Sequence, residues 1–407
     1  MSSSRPALYV RKSVKQRFQP DLRMLKLMES FRLMTNICIR TGLENDASSL
    51  KRLSTLSYKQ LREFQIPSYY KLCAISKATG ILAARKKSIK RGHRTRNLYL
   101  RKPLLTTCYG FRLVDQKLLI PIGLSDMATV PLNPHTVEVL AESNVTVRSF
   151  TLTPKSFSLS IRKDVEPITR LTGLVGVDRN LNNLTVGNRV KVTYYDMSKT
   201  AVVAETTKSI IRSFGRNDAR IRLALTGKYG ERRKNRVRQL IHRVSKQAVE
   251  NAFRDKQAIV FEDIHEIRRL YRKWNWQGKG YRARMNDWPF HEAKRQVEYK
   301  AAWVGVPVVT LSRSETGGTS RVCPRCGERL QSGKELRRKL WCQRCRELFD
   351  RDLVAVLNIS RRGRFTFERS KGVGFEAMVQ EPDAGTWPKV ILKVDPTKLT
   401  HRHESAN

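Results

Sequence analysis

The chain is poor in negative charge. Over its 407 residues Asp and Glu total 36 against 80 Lys and Arg, a formal net charge of +44. That surplus makes attraction to a polyanion hard to avoid and puts nucleic acid first among candidate partners. From Phe64 to Val114 there is no acidic residue at all, and within that span Arg85 to Lys102 holds nine Lys or Arg. Arg85, Lys86, Lys87, Lys90, Arg91, Arg94 and Arg96 are candidates for neutralising backbone phosphates, the alternative being a solvated basic face. Tyr69, Tyr70 and Tyr99 lie in the same stretch, able to stack on bases or simply to pack.

Also lacking is any apolar run near the roughly 20 residues of a membrane span, and any lipidation motif. The opening Met1-Ser-Ser-Ser-Arg has no apolar signal-peptide core. These absences predict an intracellular, cytoplasmic and nucleoid-associated protein with reduced thiols, no membrane partner and no small-molecule substrate. Cysteine is scarce: seven in all, an odd number, with Cys38, Cys73 and Cys108 scattered. A disulfide framework fits such usage poorly.

The other four are ordered. Cys323-x2-Cys326 and Cys342-x2-Cys345, fifteen residues apart, have the spacing of a ribbon that holds one structural zinc between two knuckle turns. Asp350-Arg351-Asp352 comes immediately after, before an apolar run from Leu353. A carboxylate there either caps a helix or serves as a ligand.

Along the chain, Met24, Leu27, Met28, Phe31, Met34 and Cys38 recur at helical spacing after Pro20, a stripe that reads as core. Alternation at Phe157, Leu159 and Ile161 between Pro and Gly punctuation predicts a β-rich domain, barrel-like, over the segment before about residue 170. Leu174-Val-Gly-Val-Asp178 and Ala258-Ile-Val-Phe-Glu262 read as buried strands, each ending in an acid. Between them Val237, Leu240, Ile241, Val244, Ala248, Val249 and Ala252 predict an amphipathic helix. A helix starts at Asp287 and Pro289, a strand begins at Val306, and the helix after Asp352 runs to Gly363. Arg268 to Arg284 mixes cations, aromatics and glycines, suiting a loop that feeds a single strand through Trp274 and Trp276, or one with both indoles packed inward.

Asp178, Glu262 and Asp352 each have a bland reading as a turn, strand end or cap. Together, at two strand ends and one helix start, they sit where an RNase H-like α/β fold gathers carboxylates for two magnesium ions and phosphodiester hydrolysis.

Gly176-Val-Asp-Arg-Asn, Ile259-Val-Phe-Glu-Asp-Ile, Tyr299-Lys-Ala-Ala-Trp-Val-Gly-Val-Pro-Val, Thr319-Ser-x-x-Cys-x-x-Cys-Gly and Asp350-Arg-Asp-x-x-Ala-x-x-Asn-Ile resemble the transposon-encoded TnpB family, related to type V CRISPR effector nucleases. The resemblance is specific from about residue 171 to 362. It implies a multidomain α+β protein: a wedge-type β-barrel over 1–20 and 100–170, a helical recognition insert over 21–99, a RuvC-type nuclease over 171–322 and 347–365, a zinc ribbon over 323–346, and a tail over 366–407 with few signals. It also implies an RNA-guided DNA endonuclease, its guide RNA made from the transposon end and its target double-stranded DNA beside a short transposon-associated motif. Asp178, Glu262 and Asp352 match the magnesium ligands, with Asp350 a weaker candidate, and Cys323, Cys326, Cys342 and Cys345 match the zinc ligands. The chain departs from the pattern at Val354, where the family usually has Asn, at Arg346, where glycine is expected after the second knuckle, and at Asn180, where Gly is common. The rival functions are a DDE-type transposase joining strands without a guide and an RNA-guided DNA-binding regulator with a silent nuclease.

Overall fold

In the computed structural model, residues 8–96, 98–123, 126–214, 219–264, 278–333, 335–371 and 388–399 are described. They divide into two compact units, Met1–Asp164 and Val165–Asn407. Among the described residues no helix is long and apolar enough to cross a membrane.

The first unit contains β1 (Leu8–Arg17), α1 (Leu22–Glu44), α2 (Leu50–Ser57), α3 (Ser68–Lys90), β2 (Leu105–Thr107), β3 (Arg112–Val114), β4 (Lys117–Pro121), β5 (Met127–Pro131), α4 (Pro134–Ala141), β6 (Val145–Thr153) and β7 (Ser156–Val165). Helix α1 starts where Asp21 Oδ1 accepts the Met24 N–H at 2.7 Å, a side-chain N-cap. Its stripe of Met24, Leu27, Met28, Phe31, Met34 and Cys38 is fully buried, each large side chain contributing about 1.5–3 kcal/mol. It packs on α3, which buries Tyr70, Ala74, Ile75, Ala78 and Leu82. Phe157, Leu159 and Ile161 alternate inward along β7. The β3–β4 hairpin turns on Asp115 and Gln116 with φ of 47° and 60°, the mirror-image turn that suits strand twist.

The barrel expected of these strands does not close among the described residues. They form two sheets, β1-β7-β6-β2 and β3-β4-β5, with no ladder between them. Strand β2 is only three residues long and packs against α1 and α3. It offers too few backbone groups to carry pairing further.

The second unit contains β8 (Gly173–Arg179), β9 (Asn183–Gly187), β10 (Lys191–Asp196), α5 (Ser198–Ser213), α6 (Ala219–Arg254), β11 (Gln257–Glu262), α7 (Lys279–Asp287), α8 (Phe290–Trp303), β12 (Val308–Leu311), α9 (Arg313–Thr316), β13 (Lys339–Cys342), β14 (Glu347–Asp350), α10 (Arg351–Lys371) and β15 (Lys389–Val394). One six-stranded sheet runs β12-β11-β8-β9-β10-β15. Strands β8, β11 and β12 are parallel, β9 is antiparallel to both its neighbours, and β15 is parallel to β10.

Strand alternation sorts the two faces of this sheet. Val175, Val177, Ile259 and Phe261 meet α6 and α8 through Val237, Leu240, Ile241, Val244 and Val297. Leu174, Ala258 and Val260 meet α10 through Ala355, Ile359 and Phe367. Two expectations change. Gly363 does not end α10, because it is a close-approach glycine: a Cβ there would sit 2.4 Å from a Val260 methyl, and the helix continues to Lys371. Lys389–Val394, inside the tail that gives few sequence signals, is an edge strand paired with β10. Trp274 and Trp276 lie outside the described residues.

Candidate active site and metal ribbon

Backbone register brings two of the acids together. Val177 pairs with Phe261 across parallel β8 and β11, so the next residues, Asp178 and Glu262, stand side by side about 4.8 Å apart at the backbone and on the α10 face. Asp352, in the first turn of α10, arrives by a helix–strand match. Ser360 Oγ donates to the Leu174 carbonyl at 2.8 Å, and the Val356 carbonyl lies where a Cβ on Gly176 would be 2.4 Å away. Four helical residues rise about 6.0 Å and two strand residues about 6.6 Å. Moving four residues toward the N-terminus from Val356 along the helix and two forward from Gly176 along the strand pairs Asp352 with Asp178.

Polar neighbours fix each carboxylate. Asn180 Nδ2 donates to Asp178 Oδ2 at 2.7 Å, and Thr319 Oγ1 donates to Glu262 Oε1 at 2.6 Å. Asp352 is 3% exposed; Asn183 Nδ2 donates to its Oδ2 at 2.8 Å, and Arg338 forms an ion pair with its Oδ1. Asp350 is the cap: its Oδ1 accepts the N–H groups of Asp352 and Leu353 at 2.9 and 3.1 Å and the Tyr194 hydroxyl at 3.0 Å. Capping therefore falls to Asp350 and leaves Asp352 free for another role. Asn358 Nδ2 donates to the carbonyls of Thr319 and Val322, both at 2.8 Å, holding Thr319 toward Glu262.

Arg179, Asn183, Thr319 and Arg338 are contributors that sequence reasoning does not assign. Arg179 is 5% exposed, donates to the Glu262 carbonyl at 2.5 Å and the Phe290 carbonyl at 3.2 Å, and lies over the Phe261 ring. It clamps the end of β11 beside β8. Burial pulls its guanidinium down to about 10, against the pull of Glu262 and Asp178. Local sequence carried one hint, the adjacency of Arg179 to Asp178. Their remaining partners are distant in the chain and leave no spacing to find.

The electrostatics suit cation binding. Burial first, then the charges of Asp352 and Glu262, push Asp178 up to about 7, despite the Asn180 hydrogen bond and the Arg338 charge. Beside the acids, Asn183 Oδ1 and Thr185 Oγ1 are buried without a partner, and Thr185 is paired directly opposite Asp178. Hard carboxylate oxygens with orphaned acceptors alongside fit a hydrated Mg2+, whose waters would donate to those oxygens. Elsewhere in the same unit, Cys323, Cys326, Cys342 and Cys345 bring four ligand atoms within 4.8 Å of one another.

That quartet is compact and unbridged. Cys323 and Cys345 sulfurs are 3.9 Å apart and those of Cys326 and Cys342 3.5 Å, close to the roughly 3.8 Å edge of a tetrahedron with 2.3 Å Zn–S bonds. The sulfurs and their spacing are consistent with a zinc ribbon, built on the β13–β14 hairpin. The residue after each knuckle is left-handed: Gly327 at φ 76° and Arg346 at φ 53°. Arg346 thus occupies the conformation that favours glycine and bears the strain. Val354 is fully buried among Cys323, Leu330, Leu340, Cys342 and Phe349, so this departure packs the helix on the ribbon. Two residues from Asp352 along a helix, it faces away from the acids. Asn180 has no positive φ and keeps Asp178 hydrogen-bonded.

In the first unit, Lys86, Lys87, Lys90, Arg91, Arg94 and Arg96 are exposed and Arg85 half-buried, at the end of α3 and just beyond. Tyr70 is core, its hydroxyl donating to the Pro121 carbonyl at 2.8 Å; Tyr99 is exposed with Arg101 over its ring.

The Cas12f1-like TNB domain model matches residues 290–359, from α8 through the ribbon to the acid-bearing turn of α10. A TnpB-like protein of Methanocaldococcus jannaschii is 28% identical over 248 residues, 58% of this chain and 83% of that protein. The chain is thus similar to a TnpB-like protein over more than half of its length. A second TnpB-like protein of that organism is 27% identical over 198 residues, and there the match covers 42% of the relative. A putative RNA-guided DNA endonuclease of Streptomyces pristinaespiralis is 26% identical over 245 residues, 56% of this chain and 57% of the relative. The solved structure of CasPhi-2 (Cas12j) bound to crRNA superposes with a TM-score of 0.46 at 10% identity, covering 92% of this chain and 100% of that one.

Proposed function

We propose that this chain is an RNA-guided, Mg2+-dependent DNA endonuclease whose RuvC-type site is Asp178, Glu262 and Asp352. The observation that carries it is the convergence of three buried or half-buried acids from two adjacent parallel strands and one helix N-terminus, by register rather than by loops. The strand order, with β9 reversed between β8 and β10 and β11 and β12 parallel beyond β8, supports an RNase H-like fold. The Streptomyces relative's name supports the guided activity.

Three carboxylates of this kind would hold two ions about 3.5–4 Å apart. When bound, Mg2+ would supply an activated water and stabilise the leaving 3′ oxygen. The chain's own groups orient the ligands: Asn180 holds Asp178, Thr319 holds Glu262, Asn183 holds Asp352 and Arg179 clamps the strand ends. The cysteine ribbon serves as a structural zinc site, because four thiolates leave no open position for substrate. The basic run from Arg85 to Arg96 would track the backbone of a guide RNA made from the transposon end or of double-stranded target DNA beside a transposon-associated motif.

The test is to purify the protein from its host, sequence the bound RNA, and assay the complex on matching DNA in Mg2+. A discrete RNA and cutting that is abolished by Asp178→Asn, Glu262→Gln and Asp352→Asn with RNA binding retained is the expected result. Wild-type cutting by Asp178→Asn overturns the site, random RNA fragments overturn guidance, and strand joining without RNA points to the transposase reading.

A further inference from the structure

Arg338 comes from the ribbon, yet its charge ends in the acid cluster. Its carbonyl accepts the Arg351 N–H at 3.0 Å, and the next residue, Lys339, pairs with Asp350 across the β13–β14 hairpin. This ties the Arg338 backbone to the start of α10, one residue from Asp352. The side chain then reaches Asp352 Oδ1 from outside: the guanidinium side chain is 61% exposed and the carboxylate side chain 4%. The pair is therefore lopsided. The anion is buried and hydrogen-bonded by Asn183 on its other oxygen, whereas the cation is a long side chain exposed at the rim. A guanidinium and a divalent cation compete for the same carboxylate oxygen, and one already engaged by a cation is a poorer metal ligand.

We propose that Arg338 is a built-in counter-ion that closes the acid cluster of the nucleic-acid-free protein, competing with the divalent cation for Asp352. The ribbon thereby sets how readily the site loads. The inference rests on the site assignment above and goes beyond it by giving the ribbon a regulatory arm. Loading the cation requires the arm to swing out, which its exposure permits. Loss of the arm should tighten cation binding; an Arg338 that only braced the fold would weaken it when removed.

The experiment is calorimetric titration of Mn2+, which takes the same oxygen donors as Mg2+, into zinc-loaded, nucleic-acid-free full chain. Arg338→Ala and Arg338→Gln should each bind Mn2+ roughly tenfold tighter, the scale on which a neighbouring Arg shifts a carboxylate's affinity for a proton. Asp352→Asn should erase that gain in the double variant. Equal or weaker binding by both Arg338 variants, with wild-type binding still lost in Asp178→Asn, overturns the counter-ion while sparing the site. Wild-type Mn2+ binding unaffected by Asp178→Asn overturns the site assignment, and the counter-ion with it.

Discussion

Replacing Gly176 by Ala tests the idea that α10 is located by direct contact with β8. A Cβ at Gly176 would lie 2.4 Å from the Val356 carbonyl oxygen, 2.9 Å from the Ser360 amide and 3.1 Å from Ile359 Cβ. These are mainly helix backbone atoms, which cannot rotate aside as a side chain would. Restoring ordinary contact requires α10 to retreat by about 1 Å, at an overpacking cost of about 1–3 kcal/mol. For a unit of this size each kcal/mol lowers the melting midpoint by about 2–4 °C. Because Asp352 rides on the same helix, one turn before Val356, it retreats from Asp178 and Glu262 too. A 1 Å misplacement of a catalytic group costs on the order of a hundredfold in rate. Thermal denaturation and single-turnover DNA cleavage measure the two effects separately. Gly173→Ala is the control, on the same strand with nothing within 4 Å of its added Cβ. Wild-type cleavage and melting by Gly176→Ala, or equal damage from Gly173→Ala, would refute the reasoning.

The same geometry sets three more outcomes. Arg346→Gly should stabilise the ribbon by about 0.5–1 kcal/mol, since a side chain at φ 53° costs about 1–2 kcal/mol and glycine's greater freedom in the unfolded chain returns part of that; a lower melting midpoint contradicts it. Cys342→Ser should lose zinc, measured by elemental analysis, and melt earlier as Val354 and Phe349 lose their packing partners, because such metal binding is coupled to folding; full zinc content sinks the ligand assignment. Asp178, pushed up to about 7, must release a proton to bind a cation, so Mg2+ affinity should fall up to tenfold per pH unit below about 7 and level off above it. By the same sign, the metal-free fold holds the Asp178 proton more tightly than the unfolded chain does and loses relative stability as pH rises toward 7. An affinity flat across that range would rule this out.

Sequence patterns made the local parts visible. The α1 stripe after Asp21, the apolar strands ending at Asp178 and Glu262, and the cysteine spacing each declare themselves within a few residues. What stays hidden is whatever depends on a distant partner. Nothing near Thr319 in the sequence points to Glu262 as its partner, nor anything near Arg338 to its contact with Asp352. Gly363 reads as a helix stop because glycine serves both termination and close approach, and only the neighbouring Val260 distinguishes them. Lys389–Val394 becomes a strand through pairing with β10, far upstream, without which so short a segment has no reason to be extended. Val354 and Arg346, the departures beside the ribbon, prove to be a packing contact and a strained turn.

The match of four helical residues to two strand residues makes α10 and β8 act as two edges of a vernier. Each acid is addressed by backbone register, so the segments joining them do not set their separation. Long connections add only slowly to the entropy of closing a chain. The lengths of the α5–α6 excursion and of the ribbon can therefore drift over evolutionary time while the three carboxylates stay in place, provided Gly176 keeps its bare face to the helix.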